Sequence, residues 1–167
     1  VLGEGTRIRL VLPADPAEEP AASLPPDAAA ARPVRAGTIL LVEDTAPMRR
    51  AAQLVLTRLG FKVLVAADGA EGLAAFRANA DAIVLVVTDI VMPRLDGIGL
   101  FDAIRAEGAR VPFVFMSGYP ASEVASGRTL DPSIPFLKKP WTADALAVCV
   151  RQALADGQQP PLPFKLV

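Results

Sequence analysis

The sequence predicts an α/β fold in which five short strands alternate with five helices and build one parallel sheet. Three features carry this reading. The stretch 84–89, V-L-V-V-T-D, is apolar without alternation, as expected for a strand buried on both faces. Segments with helical apolar spacing separate such runs. Each run also stops at polar residues on its C-terminal side, the side on which open α/β sheets place their ligand crevice.

The elements follow in order. Residues 7–12 alternate charged and apolar side chains before turning apolar, which suggests an edge strand. Residues 14–37 hold five prolines and many alanines without a core period, and read as a linker. Residues 38–44, T-I-L-L-V-E-D, form a buried strand that ends in two acids. Thr45 can cap a helix that Pro47 joins in its first turn, with Met48, Ala52, Val55 and Leu59 on its inner face and Gly60 as its stop. Residues 61–66 give the second strand. Residues 69–79 give the second helix, with Leu73 and Phe76 turned inward. After the third strand, Met92-Pro93 breaks the ladder. The third helix covers 96–107, with Ile98, Phe101 and Ile104 as its stripe. The fourth strand, 111–116, runs into Ser117-Gly118 and is followed by a short helix at 120–127. The fifth strand, 134–140, ends in Lys138-Lys139-Pro140. Thr142 then caps a last helix, whose Leu146, Cys149, Val150 and Ala153 face the core, and residues 158–167 form a proline-containing tail.

Four strand ends therefore bring Glu43, Asp44, Asp89, Ser117 and Lys139 towards one edge of the sheet. Asp89 on its own also fits a carboxylate that merely caps a loop; the other strand ends change that balance. An acidic pair after the first strand, an aspartate after the third, a serine after the fourth and Lys-Pro after the fifth resemble, in this order, the receiver domain of two-component response regulators. The resemblance spans residues 38–157, most of the chain, and implies the flavodoxin-like strand order 2-1-3-4-5.

It also implies a chemistry. Three neighbouring carboxylates call for a compensating cation, and Mg²⁺ suits oxygen ligands while leaving room for phosphate. By resemblance, Asp44 and Asp89 bind the metal directly, Glu43 binds it through water, and the backbone carbonyl of Val91 adds a ligand. Asp89 is the phospho-accepting nucleophile. Lys139 and Ser117 bind the phosphoryl oxygens, and Ser117 and Phe136 form a switch. Lys139 is chosen over Lys138 because it directly precedes Pro140, and Lys138 should face the other way. The resemblance makes the Lys139–Pro140 bond cis. The resemblance further implies a domain that catalyses its own phosphorylation at Asp89 without being a kinase by itself.

Composition narrows the rest. The chain has 167 residues, 52% hydrophobic and 21% charged, with a net charge of −1. Residues 38–167 carry 13 basic and 13 acidic side chains, a balance that argues against nucleic-acid binding. No apolar run is long enough to span a bilayer, so no membrane contact is expected of this segment. The single cysteine, Cys149, cannot form an internal disulfide and fits a small core residue in a cytoplasmic protein. The absence of histidine excludes Ser-His catalysis and histidine metal sites, and means that any phosphohistidine must come from a histidine kinase domain or a histidine phosphotransfer protein. Gly3, Gly5 and Thr6 before the first strand look like the last glycine box of a histidine-kinase ATP-binding domain. Residues 1–13 are accordingly expected to be its remnant, and the chain the C-terminal piece of a hybrid histidine kinase.

Three competing readings are weaker. A haloacid-dehalogenase-type phosphatase needs a second acid two residues after the nucleophile, where Val91 stands. A pseudo-receiver acting only as a protein-interaction module does not need the intact set of acids, serine and lysine. A transcription factor would need a DNA-binding domain for which these residues leave no room.

Overall fold

The computed structural model describes residues 37–119 and 134–156. The expected kinase remnant and linker, the helix at 120–127 and the tail lie outside the described residues. Five strands form one parallel sheet: β1 (Thr38–Val42), β2 (Lys62–Ala66), β3 (Ile83–Asp89), β4 (Phe113–Ser117) and β5 (Phe136–Lys138). Their order is β2-β1-β3-β4-β5, as expected. Four helices are described: α1 (Ala46–Arg58), α2 (Gly69–Asn79), α3 (Gly97–Ala106) and α4 (Ala143–Asp156). None of the described helices is long and apolar enough to cross a membrane.

The period of two along each strand sorts the core into two layers. Ile39, Leu41, Leu85, Val87, Val114, Met116 and Leu137 face Ala52 and Leu56 of α1 and Leu146, Val150 and Ala153 of α4. Leu40, Val42, Val86, Phe113 and Phe115 face Phe76 of α2 and Ile98, Leu100 and Ile104 of α3. The inner face of α1 sits slightly off the expected stripe. Ala52 and Leu56 are wholly buried, Val55 and Leu59 pack at the margin of the layer, and Met48 is half-buried. Leu56 lies four residues beyond Ala52, so the two share a face. Phe101, placed on the stripe of α3, meets Phe113 edge-on at 5.0 Å between ring centroids.

Caps set the ends of the site-forming elements. Asp68 and Asp96 cap α2 and α3, accepting the backbone N–H of Glu71 at 2.9 Å and of Gly99 at 2.6 Å. Thr142 does the same for α4, accepting from Ala145 at 3.2 Å. Thr45 occupies the cap position of α1, but its hydroxyl donates instead to Asp44 Oδ1 at 3.2 Å. The strands stop one or two residues before the acids and the lysine of the first and fifth runs, which leaves those side chains on the connecting loops.

Candidate functional site

Five sequence-predicted residues meet at the C-terminal edge of the sheet. β1 is paired on both sides and buried, so the chain leaving it must deliver Glu43 and Asp44 to opposite sides of the backbone. Glu43 turns inward and is fully buried, whereas Asp44 is exposed. Arg49, one turn into α1, donates Nη1 to the carbonyl oxygens of Glu43 at 2.6 Å and Asp44 at 3.1 Å, fixing that corner. Asp89 ends β3 and is 7% exposed. The carboxylate oxygens that Glu43, Asp44 and Asp89 offer lie within 4.8 Å of one another.

Lys139 ties this cluster together. Its Nζ donates to Glu43 Oε2 at 2.6 Å and to Asp89 Oδ2 at 2.8 Å. The remaining oxygens are also held: Glu43 Oε1 accepts from Thr45 N at 3.3 Å, and Asp89 Oδ1 from Ile90 N at 2.8 Å. Lys138 is exposed on the opposite side of the strand, as the alternation requires. The Lys139–Pro140 peptide bond is cis.

Burial pushes the Glu43 carboxyl above its ordinary value, against the lowering effect of the Lys139 ammonium. Burial pulls Lys139 down, but its hydrogen bonds to Asp89 and Glu43 outweigh this and leave it raised, so it is an ammonium at neutral pH. The donor set is all oxygen, two of its three carboxylates are buried, and among the described residues one ammonium, that of Lys139, is hydrogen-bonded to it. That chemistry fits a hard divalent cation. A test follows for Glu43. A carboxyl whose folded pKa is raised stabilises the fold most below its unfolded value of 4.5, and this contribution is lost as pH rises through the folded value. Glu43→Gln should therefore raise the metal-free melting temperature at pH 7 relative to wild type, with the difference shrinking towards pH 4.5. Mg²⁺ affinity should fall about tenfold, or 1.4 kcal/mol. Thermal melts and Mg²⁺ titrations of both proteins check the two opposite signs.

Ser117 closes β4, wholly buried, one residue beyond the Met116 that pairs with Asp89. Its hydroxyl accepts the Tyr119 N–H at 3.0 Å, and its carbonyl accepts the Lys139 N–H at 2.7 Å. Phe136 opens β5 beside Phe115 and is half-buried against the α2/α3 layer. Val91 and Tyr119 are exposed at the rim, 57% and 59%. Cys149 is half-buried, and burial pushes its thiol up, in keeping with a packing role.

Sequence reasoning missed two residues beside the site. Asp68, wholly buried, forms an ion pair with Arg94 on the loop that leaves Asp89. The N-cap of α2 was a readable signal for Asp68, since an acid stands three residues before Glu71; its pairing with Arg94 had none.

The model of the response regulator receiver domain matches residues 39–151. This chain belongs to that family. Receiver domains serve two-component signalling, and known relatives agree with the assignment. The sensor kinase CckA of Brucella abortus is 32% identical over 160 residues, which cover 92% of this chain and 17% of CckA. The transcriptional regulatory protein CseB of Streptomyces avermitilis is 38% identical over 117 residues, 70% of this chain and 48% of CseB. This receiver therefore spans less than half of either relative. Among solved structures, the receiver domain of the hybrid histidine kinase CckA is 37% identical with a TM-score of 0.59, covering 71% of this chain and 99% of that one. A receiver protein from Sinorhizobium medicae is 34% identical with a TM-score of 0.66, covering 74% and 98%.

Proposed function

We propose that this receiver domain takes a phosphoryl group from a phosphohistidine onto Asp89, using Mg²⁺, and signals by a change of conformation. The carrying observation is the single ammonium of Lys139 shared between Glu43 and Asp89, beside a third carboxylate from Asp44. A carboxylate oxygen of Asp89 forms the new bond to phosphorus while the bond from phosphorus to the donor's imidazole nitrogen breaks; that nitrogen leaves with its electron pair. Lys139 lies within hydrogen-bond reach of the nucleophile, and its charge can follow the phosphoryl oxygens. The buried Ser117 hydroxyl retains a proton that it can donate to another of them. Glu43, Asp44, Asp89 and the Val91 carbonyl would hold Mg²⁺, which when bound neutralises phosphoryl charge.

The phosphodonor in this reading is a histidine kinase domain or a histidine phosphotransfer protein, and the setting is cytoplasmic. The likeness to CckA supports a hybrid histidine kinase as the parent, with residues 1–13 as a kinase remnant, 14–37 as a linker, 38–157 as the receiver and 158–167 as a tail.

The proposed signal is a switch of Ser117 and Phe136. When Ser117 turns to meet the phosphoryl group, it vacates space that Phe136 can enter from its half-buried position. A charge-assisted hydrogen bond is worth about 1.5–3 kcal/mol, enough to tip two conformers separated by a similar gap. Beryllofluoride with Mg²⁺, standing in for the phosphoryl group, should shift the NMR signals of Ser117 and the Phe136 region. Ser117→Ala should still bind the analogue with smaller shifts around Phe136. Analogue binding without movement there would make the domain a phosphate carrier lacking this switch.

A further inference from the structure

Asp68 does more than a helix cap needs. Capping α2 occupies one oxygen, Oδ1, which accepts the Glu71 N–H at 2.9 Å, and Glu71 Oε2 returns the contact by accepting the Ala67 N–H at 2.6 Å. The second oxygen, Oδ2, is buried and accepts no hydrogen bond; its charge is met by the ion-pair contact with the Arg94 guanidinium, whose side chain is otherwise largely exposed. A buried carboxylate without a partner is strongly disfavoured, so the pairing fixes where Arg94 goes.

Arg94 sits in the loop between Asp89 and α3 and has φ 65°, a left-handed conformation that non-glycine residues seldom adopt. The same loop is pressed against α2 by its backbone. Gly69 N donates to the Leu95 carbonyl at 3.1 Å, and a Cβ at Gly69 would come within 2.4 Å of that oxygen. The loop is closed by Gly97 N donating to the Ile90 carbonyl at 2.9 Å, where a Cβ at Gly97 would meet the Asp89 carbonyl oxygen at 2.2 Å. Val91 lies between these anchors and is exposed.

We infer that Asp68 and Arg94 form a clamp that positions the 90–96 loop, and with it the Val91 carbonyl, for the metal. Both are positioning residues, and the inference rests on the proposed Mg²⁺ site. The clamp acts across elements 26 positions apart in sequence and leaves the capping of α2 to Oδ1 alone.

The test uses the full chain and Mg²⁺ alone, followed by amide NMR shifts at Glu43, Asp44, Asp89 and Val91, with metal-free melting temperatures alongside. Asp68→Asn keeps a capping oxygen and removes the charge; Arg94→Gln removes the other charge; Arg94→Gly also relieves the left-handed backbone. Each should weaken Mg²⁺ binding about fivefold; Asp68→Asn should melt close to wild type, whereas Arg94→Gln and Arg94→Gly leave the Asp68 carboxylate buried without its partner and should melt lower, a loss that the Asp68→Asn/Arg94→Gln double variant largely recovers. The Asp68→Asn/Arg94→Gln double variant should be no weaker than the worse single variant, as for two halves of one clamp, and Arg94→Lys should recover part of the affinity. Unchanged Mg²⁺ affinity in the single variants, additive losses in the double variant, or normal affinity in Arg94→Gly would overturn the clamp. If wild type itself binds no Mg²⁺ at Asp89, the metal reading fails instead, so the two failures are distinguishable.

Discussion

Asp89→Asn is expected to reduce phosphoryl acceptance from a phosphohistidine donor to background. In the proposed transfer the nucleophile is a carboxylate oxygen, and the asparagine amide nitrogen that would replace one of the two has its lone pair delocalised into the carbonyl. The substitution also sets an NH₂ or a neutral oxygen opposite Lys139 Nζ, where the wild type has a charged acceptor at 2.8 Å. The contact from Ile90 N can be kept by the remaining amide oxygen, so the fold should survive. Asp89 is 7% exposed and shares its space with Glu43 and Asp44, so loss of its charge relieves like-charge repulsion and the metal-free variant should melt no lower than wild type. The bond type provides an independent check. A phosphoryl group on Asp89 is a mixed anhydride that hydroxylamine cleaves, and borohydride reduces the modified residue to homoserine. A phosphoryl group on Ser117 would resist both. Label that persists in Asp89→Asn, or a hydroxylamine-stable product in wild type, rules out Asp89 as the acceptor.

The parts of this site that could be read in the sequence are those written as endings of apolar runs. Leu40–Val42, Val86–Val87 and Val114–Met116 are buried on both sheet faces, so their runs carry no polar residue until the sheet edge. The first polar side chains after the first and fourth runs, Glu43 and Ser117, are site residues, and in the third run only the buried Thr88 precedes Asp89. The alternation that turns Lys138 outward and Lys139 inward is equally local. Strand ends shifted by one or two residues because an apolar run measures burial, whereas a strand ends where its ladder of hydrogen bonds does. Leu56 was missed on α1 because Met48 and Leu59 fit the helical period just as well, and only the packing against α4 decides between them. Burial splits Glu43 from Asp44 although they are adjacent and chemically alike; the direction in which the chain leaves β1 separates them. The Asp68–Arg94 pair has no periodic trace at all, since it joins a cap to a loop residue through tertiary contact.

Lys139→Met should be the second large effect, and it separates catalysis from stability. Phosphotransfer should slow by about 10²–10³, the usual cost of removing one preorganised charge from a water-poor site. At pH 7 without metal the variant should also lose about 3 kcal/mol of stability, because Glu43 and Asp89 are left buried without their shared partner. The pH dependence identifies the cause. The raised pKa of Lys139 means that its contribution is fully present below 10.5 and lost only as pH rises through the folded value, so it is constant between pH 5 and 8. Glu43 behaves differently once the ammonium is gone. Burial already raises its pKa, and removal of the lowering effect of Lys139 raises it further, so the folded variant gains stability by taking up a proton as pH falls towards 4.5. The gap between wild type and Lys139→Met should therefore narrow from pH 8 to pH 5. Adding Glu43→Gln should recover much of the lost stability at pH 7 and none of the lost phosphotransfer. Urea unfolding across that pH range, with transfer rates measured on the same proteins, tests both. A stability gap that stays constant with pH, or a double variant no more stable than Lys139→Met alone, would show that Glu43 is not the group Lys139 neutralises.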